Sequence, residues 1–131
     1  MNKVWQFLVS RGHSFQHAFR GWWFVLRTQR KAWIHAVITT LVVILAIWLN
    51  LPLRDWAILL VTVALVWTAE FINTALEAVV DLASPQNHPL AKVGKDVGAA
   101  AVLIAALTSI LVGLLILGPP LVEKIASFTV H

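Results

Sequence analysis

The chain has no cysteine, no tyrosine and a single methionine in 131 residues, and only 12% of its residues are charged. Without cysteine there are no disulfides and no thiolate metal sites, so a metal would have to be held by carboxylate, imidazole or amide groups. That ligand set suits hard ions such as magnesium. Acids are the scarcest charges, six Asp and Glu against ten Lys and Arg. The pI near 10.2 follows from that shortage. The basic residues are spread out and form no continuous patch, so no nucleic-acid partner is expected. What is abundant is apolar surface: 60% of residues are hydrophobic and the mean hydropathy is +0.83, which places the chain in the membrane class with room for one small domain over 1–131.

Three segments are long enough to cross a bilayer. Ala32 to Leu53 carries no Lys, Arg, Asp or Glu for 22 residues, and Val97 to Val122 carries none for 26. Gly118, Pro119 and Pro120 predict a stop to the third helix near Leu117. The middle segment, Trp56 to Leu82, reaches roughly 40 Å as a helix, more than the roughly 30 Å hydrocarbon core. Its acidic end is therefore expected at or beyond one interface. The first apolar run, Val4 to Val9, is short and is followed by Arg11 and His13, unlike a cleavable signal.

Eight of the ten basic residues fall on one side of these spans: Lys3, Arg11, Arg20, Arg27, Arg30 and Lys31 in the amino-terminal arm, and Lys92 and Lys95 after the second span. The opposite side has Arg54 and Lys124. The positive-inside bias predicts that the amino terminus, the acidic end of span two and the 83–96 loop are cytoplasmic, where nucleotides are available. In the arm, Phe15, Phe19, Trp22 and Leu26 share one helical face while Arg20, Arg27 and Lys31 share another. This pattern predicts a surface helix over 13–31, not a fourth span. Trp33, Trp48 and Trp56 read as interfacial anchors.

Inside the middle segment stand four polar residues, Glu70, Asn73, Glu77 and Asp81. At roughly 100° per residue they fall near 0°, −60°, −20° and +20°, on one face. Ionisable groups in a span mark functional sites by default. The loop Ser84-Pro85-Gln86-Asn87-His88-Pro89-Leu90 reads as a turn between prolines, and Lys95-Asp96 is expected where the third helix begins, before the small residues Gly98, Ala99, Ala100 and Ala101. A lysine beside a carboxylate suits phosphate and a hydrated cation respectively. Taken alone, Asp96 reads as a helix cap, Lys95 as a positive-inside charge, His88 as a turn residue, and Asp81 as closing its helix.

Together, the run from Glu70 through Asn73 and Glu77 to Asp81, then His88-Pro89-Leu90-Ala91-Lys92, then Lys95-Asp96, closely resembles the small prokaryotic membrane kinases of the diacylglycerol kinase and undecaprenol kinase family. The resemblance runs from about His13 to Leu117. Around Ile34-His35 and His88-Pro89 the chain looks more like the undecaprenol kinase branch. The resemblance implies an all-α membrane protein, a homotrimer of protomers with one surface helix and three spans (32–53, 56–82 and 97–117), in the bacterial cytoplasmic membrane. It implies transfer of the γ-phosphoryl of ATP to a lipid alcohol, most simply undecaprenol, with diacylglycerol as the alternative. The family's general base falls on Glu70, and its metal-binding glutamate on Glu77 for Mg2+. Nucleotide contacts fall on Gln86, Asn87, His88, Lys95 and Asp96, with Arg11 and His17 at positions resembling further ones. Substrate contacts fall on Asn73, Trp56 and Ala99. One departure matters: taking register from Gly21, a second metal-binding glutamate of the family is Gln29 here, which offers a carbonyl but no charge.

These roles agree with what phosphoryl transfer needs: a positioned acceptor, cations across the phosphates and little covalent chemistry. Two other classes use parts of the pattern. A proton or ion carrier also places carboxylates in a span, but has no use for Lys95-Asp96 beside a polar loop. A structural subunit needs none of the acids.

Overall fold

The computed structural model describes the backbone of residues 3–84, 86 and 88–129, and side chains from Ser14 onward within that range. Among them the chain is all helical: α1 (Lys3–Thr28), α2 (Arg30–Trp48), α3 (Leu53–Ala83) and α4 (Pro89–Thr129). Helices α2, α3 and α4 are each long and apolar enough to cross a membrane. Most of their large apolar side chains face outward, which suits lipid as the surrounding solvent.

The α1–α2 junction is a single extended residue, Gln29, with φ −103° and ψ 107°. The α2–α3 turn is closed by Asn50 at φ 53°, a left-handed conformation that asparagine tolerates, with Leu51 N–H donating to Ala46 O at 3.2 Å. Pro52 then precedes the first turn of α3, where Asp55 complements the helix dipole.

Two apolar clusters fix the helices. Near the α2–α3 turn, Ala46, Leu49, Leu51, Leu59 and Leu117 are buried, with Trp56 and Leu121 packed on them. Towards the other end, Val25, Ala32 and Trp67 form a second cluster. There Trp22, Trp67 and Phe71 stack in tilted pairs 5.2–5.9 Å apart.

Two sequence expectations fail here. Helix α4 does not stop near Leu117 but continues through Pro119 and Pro120 to Thr129. The prolines remove two N–H donors. The turns beyond them are held instead by tertiary contacts: Leu121 packs on the first cluster, and Lys124 Nζ donates to Trp48 O at 2.6 Å while lying over the Trp48 ring. At its start α4 begins at Pro89, so Lys95 and Asp96 lie inside the helix and not at its entrance. Proline suits the first helical position, and His88 acts as the cap, its Nδ1 accepting from Leu90 N–H at 3.2 Å. Asp96 is therefore not the helix cap. The connection from α3 shrinks to residues 84–88.

Candidate active site

The polar face of α3 turns inward at Glu70 and Asn73 and reaches the surface at Asp81. Glu70 is 1% exposed, the largest fully buried side chain among the described residues, and Asn73 and Thr74 are buried beside it. Thr74 Oγ1 donates back to Glu70 O at 2.9 Å and so adds nothing to the carboxylate. Glu70 Oε2 has no hydrogen-bond partner, and neither has Asn73 Oδ1. Two buried orphan acceptors on adjacent turns are costly unless something else meets them. His35 of α2 comes nearest, its Nε2 3.9 Å from Glu70 Oε2, which is too long for a direct hydrogen bond.

One turn further, Glu77 is held at both oxygens. Asn73 Nδ2 donates to Oε1 and Gln29 Nε2 to Oε2, each at 3.1 Å. Gln29, at the α1–α2 junction, thus lies against Glu77 of α3. Gln29 meets Glu77 through its amide nitrogen, whereas the sequence reading had only its carbonyl available to a metal. Among the described residues no group of three or more His, Cys, Asp or Glu side chains is arranged to hold a metal. One anchored carboxylate with amide neighbours still fits magnesium, which keeps most of its water and uses one or two carboxylates plus substrate phosphates.

Gly98 of α4 packs against this shelf. A Cβ there would overlap Asn73 Oδ1 and come within 3.0 Å of Leu76 Cδ2, so only glycine lets α4 approach α3 at this level. The neighbouring Ala99 lines a cavity of about 240 Å³ with Lys31, His35, Glu70 and Asn73. A second, larger cavity of about 470 Å³ is lined by Asp81, Gln86, His88, Lys95 and Asp96. There Lys95 is ion-paired with Asp81. Asp81 does more than close its helix: it is the partner of the lysine.

The remaining sequence candidates are scattered. Trp56 packs in the cluster at the far end of α3, 14 residues or about 21 Å from Glu70. His17 is exposed on α1, and among the described residues α1 packs on α2 and α3 but not on α4. The side chain of Arg11, and Asn87 altogether, lie outside the described residues. Sequence reasoning missed His35 as a site residue. Its signal was present: it is the one imidazole in an apolar span, passed over when charges were counted as Lys, Arg, Asp and Glu.

The family model described as prokaryotic diacylglycerol kinase matches residues 16–117. The chain belongs to the prokaryotic diacylglycerol kinase family. It is similar to an undecaprenol kinase of Bacillus subtilis, 40% identical over 108 residues, covering 82% of this chain and 88% of that protein. A diacylglycerol kinase of Synechocystis is 41% identical over 121 residues, 92% of this chain and 69% of the relative. The Escherichia coli K12 diacylglycerol kinase is 37% identical over 89 residues, 63% and 73% of the two chains. The protein is accordingly a membrane lipid kinase, and the family implies ATP as phosphoryl donor.

Proposed function

We propose that this kinase phosphorylates a polyisoprenoid alcohol, undecaprenol, at the cytoplasmic face of the membrane, with Glu70 as general base. The observation that carries the catalytic assignment is the buried Glu70 carboxylate, one oxygen of which has no partner in the protein. A base held dry and unpaired is poised for a proton that arrives with the substrate. The acceptor is drawn from the undecaprenol kinase likeness, which covers most of both chains. Diacylglycerol remains the second reading, favoured by the Synechocystis relative.

In this mechanism Glu70 takes the acceptor's hydroxyl proton as the hydroxyl oxygen bonds to the γ-phosphorus. The bond to the β,γ-bridging oxygen breaks and ADP leaves with its electrons. Lys95 exchanges Asp81 for phosphate oxygens, while Gln86, His88 and Asp96 line the nucleotide cavity. Glu77, with Gln29 beside it, is the residue placed to hold Mg2+, which when bound supplies neutralising charge on the phosphates. Asn73 fixes the Glu77 carboxylate and borders the acceptor pocket.

The site is assembled in a homotrimer in this reading. Its support is that His17 on α1 and the Lys95 cavity on α4 belong to helices that, among the described residues, do not pack on each other within one chain. Helix α1 serves as an interfacial anchor. Transfer of labelled γ-phosphate to equal amounts of undecaprenol and diacylglycerol tests the acceptor. Predominant undecaprenyl phosphate supports it, and predominant phosphatidic acid moves the protein to the other branch.

A further inference from the structure

A larger cavity, about 340 Å³, lies between α2, α3 and α4 on the other side of His35 from the Glu70 pocket. His35 lines both spaces, and its side chain is 15% exposed. From this shared residue the cavity follows Thr39, Val42 and Leu45 down α2 and runs from Ala106 to Leu121 on α4. The fifteen steps between them correspond to about 22 Å of helix. A buried, unpartnered carboxylate therefore lines a pocket that adjoins a long apolar slot through His35.

We propose that His35 is the second group of the acceptor site: the lipid hydroxyl sits between His35 Nε2 and Glu70 Oε2, and its hydrocarbon chain occupies the slot beyond. The inference rests on the lipid-kinase reading of Glu70 and adds where the acceptor lies and what it must be made of. The 3.9 Å gap is too wide for the two groups to bond each other. It accommodates one oxygen about 2.8 Å from each, with an angle of about 90° between the two bonds. The hydroxyl has one proton, which Glu70 accepts, so His35 must donate Nε2–H to the oxygen lone pair. The oxygen is then held by two side chains from different helices before it attacks, which removes orientational freedom from the reaction.

The slot also selects the chain. Its hydroxyl groups are mostly committed: Thr62 Oγ1 donates to Ile58 O at 2.7 Å and Ser109 Oγ to Ala106 O at 2.8 Å. Thr39 Oγ1 accepts from Trp67 Nε1 at 3.3 Å, leaving its own proton as the one wall hydroxyl donor free for a guest, among the described residues. The ester carbonyls of a diacylglycerol would be buried here almost without partners, at a cost that hydrocarbon does not incur. The substrate class is a primary alcohol on a purely hydrocarbon chain, which a polyisoprenol satisfies.

Three variants and one labelling experiment test the site. Gly113 lines the slot with open space around its Cβ position, so Gly113→Phe can fill the slot without disturbing the fold. It lies seven residues, about 10 Å, beyond Ala106 at the His35 level. We expect it to raise the KM for undecaprenol at least about tenfold while sparing the KM for ATP and the turnover of prenol, a single-isoprene alcohol too short to reach it. His35→Leu should raise the KM for both alcohols and lower kcat, with His35→Gln, which keeps an N–H donor, recovering part of the loss. Unchanged undecaprenol kinetics in Gly113→Phe, or equal kinetics in His35→Leu and His35→Gln, overturns the proposal. Independently of turnover, a diazirine-bearing polyprenol photolysed with the wild-type protein should label slot residues such as Val42 and Leu117. Labelling confined to outward faces such as Ile104 and Leu111 also overturns it. Absence of phosphoryl transfer to every alcohol, with labelling in the slot, refutes the kinase reading and leaves the slot standing.

Discussion

The two ends of α3 are built from the same helix and serve opposite ends. Around Leu59 every partner is apolar, and Ala46, Leu49, Leu51 and Leu117 close on it. Around Glu70 the burial is as deep, yet two buried oxygens are left without a hydrogen bond. The first region stabilises the fold by contact, and its Leu59 and Leu117 also wall the apolar slot. The second holds unsatisfied polarity that the same helix must compensate elsewhere, which is how binding sites differ from cores. Mutations should therefore separate the two ends: loss of activity with retained stability at one, and the reverse at the other.

The sharpest separation is expected from Glu70→Gln. It should lower turnover by about 10² to 10⁴ while leaving nucleotide binding intact, because the amide keeps the shape but cannot accept the proton. Thermal unfolding in micelles should be nearly unchanged, since the amide fills the same space as the carboxyl group it replaces. More than half of the parent turnover would sink the assignment. Next, Glu77→Gln should raise the magnesium concentration for half-maximal rate by about tenfold or more, as an anionic ligand is lost. A magnesium titration that overlays the parent's removes Glu77 from the metal site.

Gly98→Ala tests the seam between the two regions. The new methyl must displace the Asn73 amide, which is pinned by its bond to Glu77. A shift of that kind costs about 10- to 100-fold in rate, and kcat at saturating ATP and lipid is the measurement. At the apolar end, Leu51→Ala, in the same cluster but outside the slot, should destabilise by about 2 kcal/mol through the cavity it leaves, with kcat per folded molecule unchanged. A drop in kcat at constant folded fraction would show that the two ends are coupled. The smallest effect is expected from Gln29→Glu, a modest fall in the magnesium requirement, because it adds an anion opposite Glu77. An unmoved curve would mean that position 29 does not act on the metal.

Much of the site was legible before any coordinates. Glu70, Asn73 and Glu77 fall on one face by helical spacing alone, and the register from Gly21 placed Gln29 where it now meets Glu77. His35 was not legible as a partner of Glu70, because nothing local relates residues on two different helices. The α4 boundaries were misjudged at both ends for a related reason. Proline and glycine signals report local backbone preference, and at Pro119-Pro120 the contacts of Leu121 and Lys124 outweigh it.

The sequence by itself determined the membrane class, the three spans and the gathering of the α3 polar residues on one face, since each follows from composition or from the 3.6-residue period. Only the tertiary structure decided that Lys95 rests on Asp81 and that Asn73 is locked against Gly98. It alone set His35 between the Glu70 pocket and the apolar slot. These are contacts between helices, fixed by side-chain packing across α2, α3 and α4, and no pattern along a single helix encodes them.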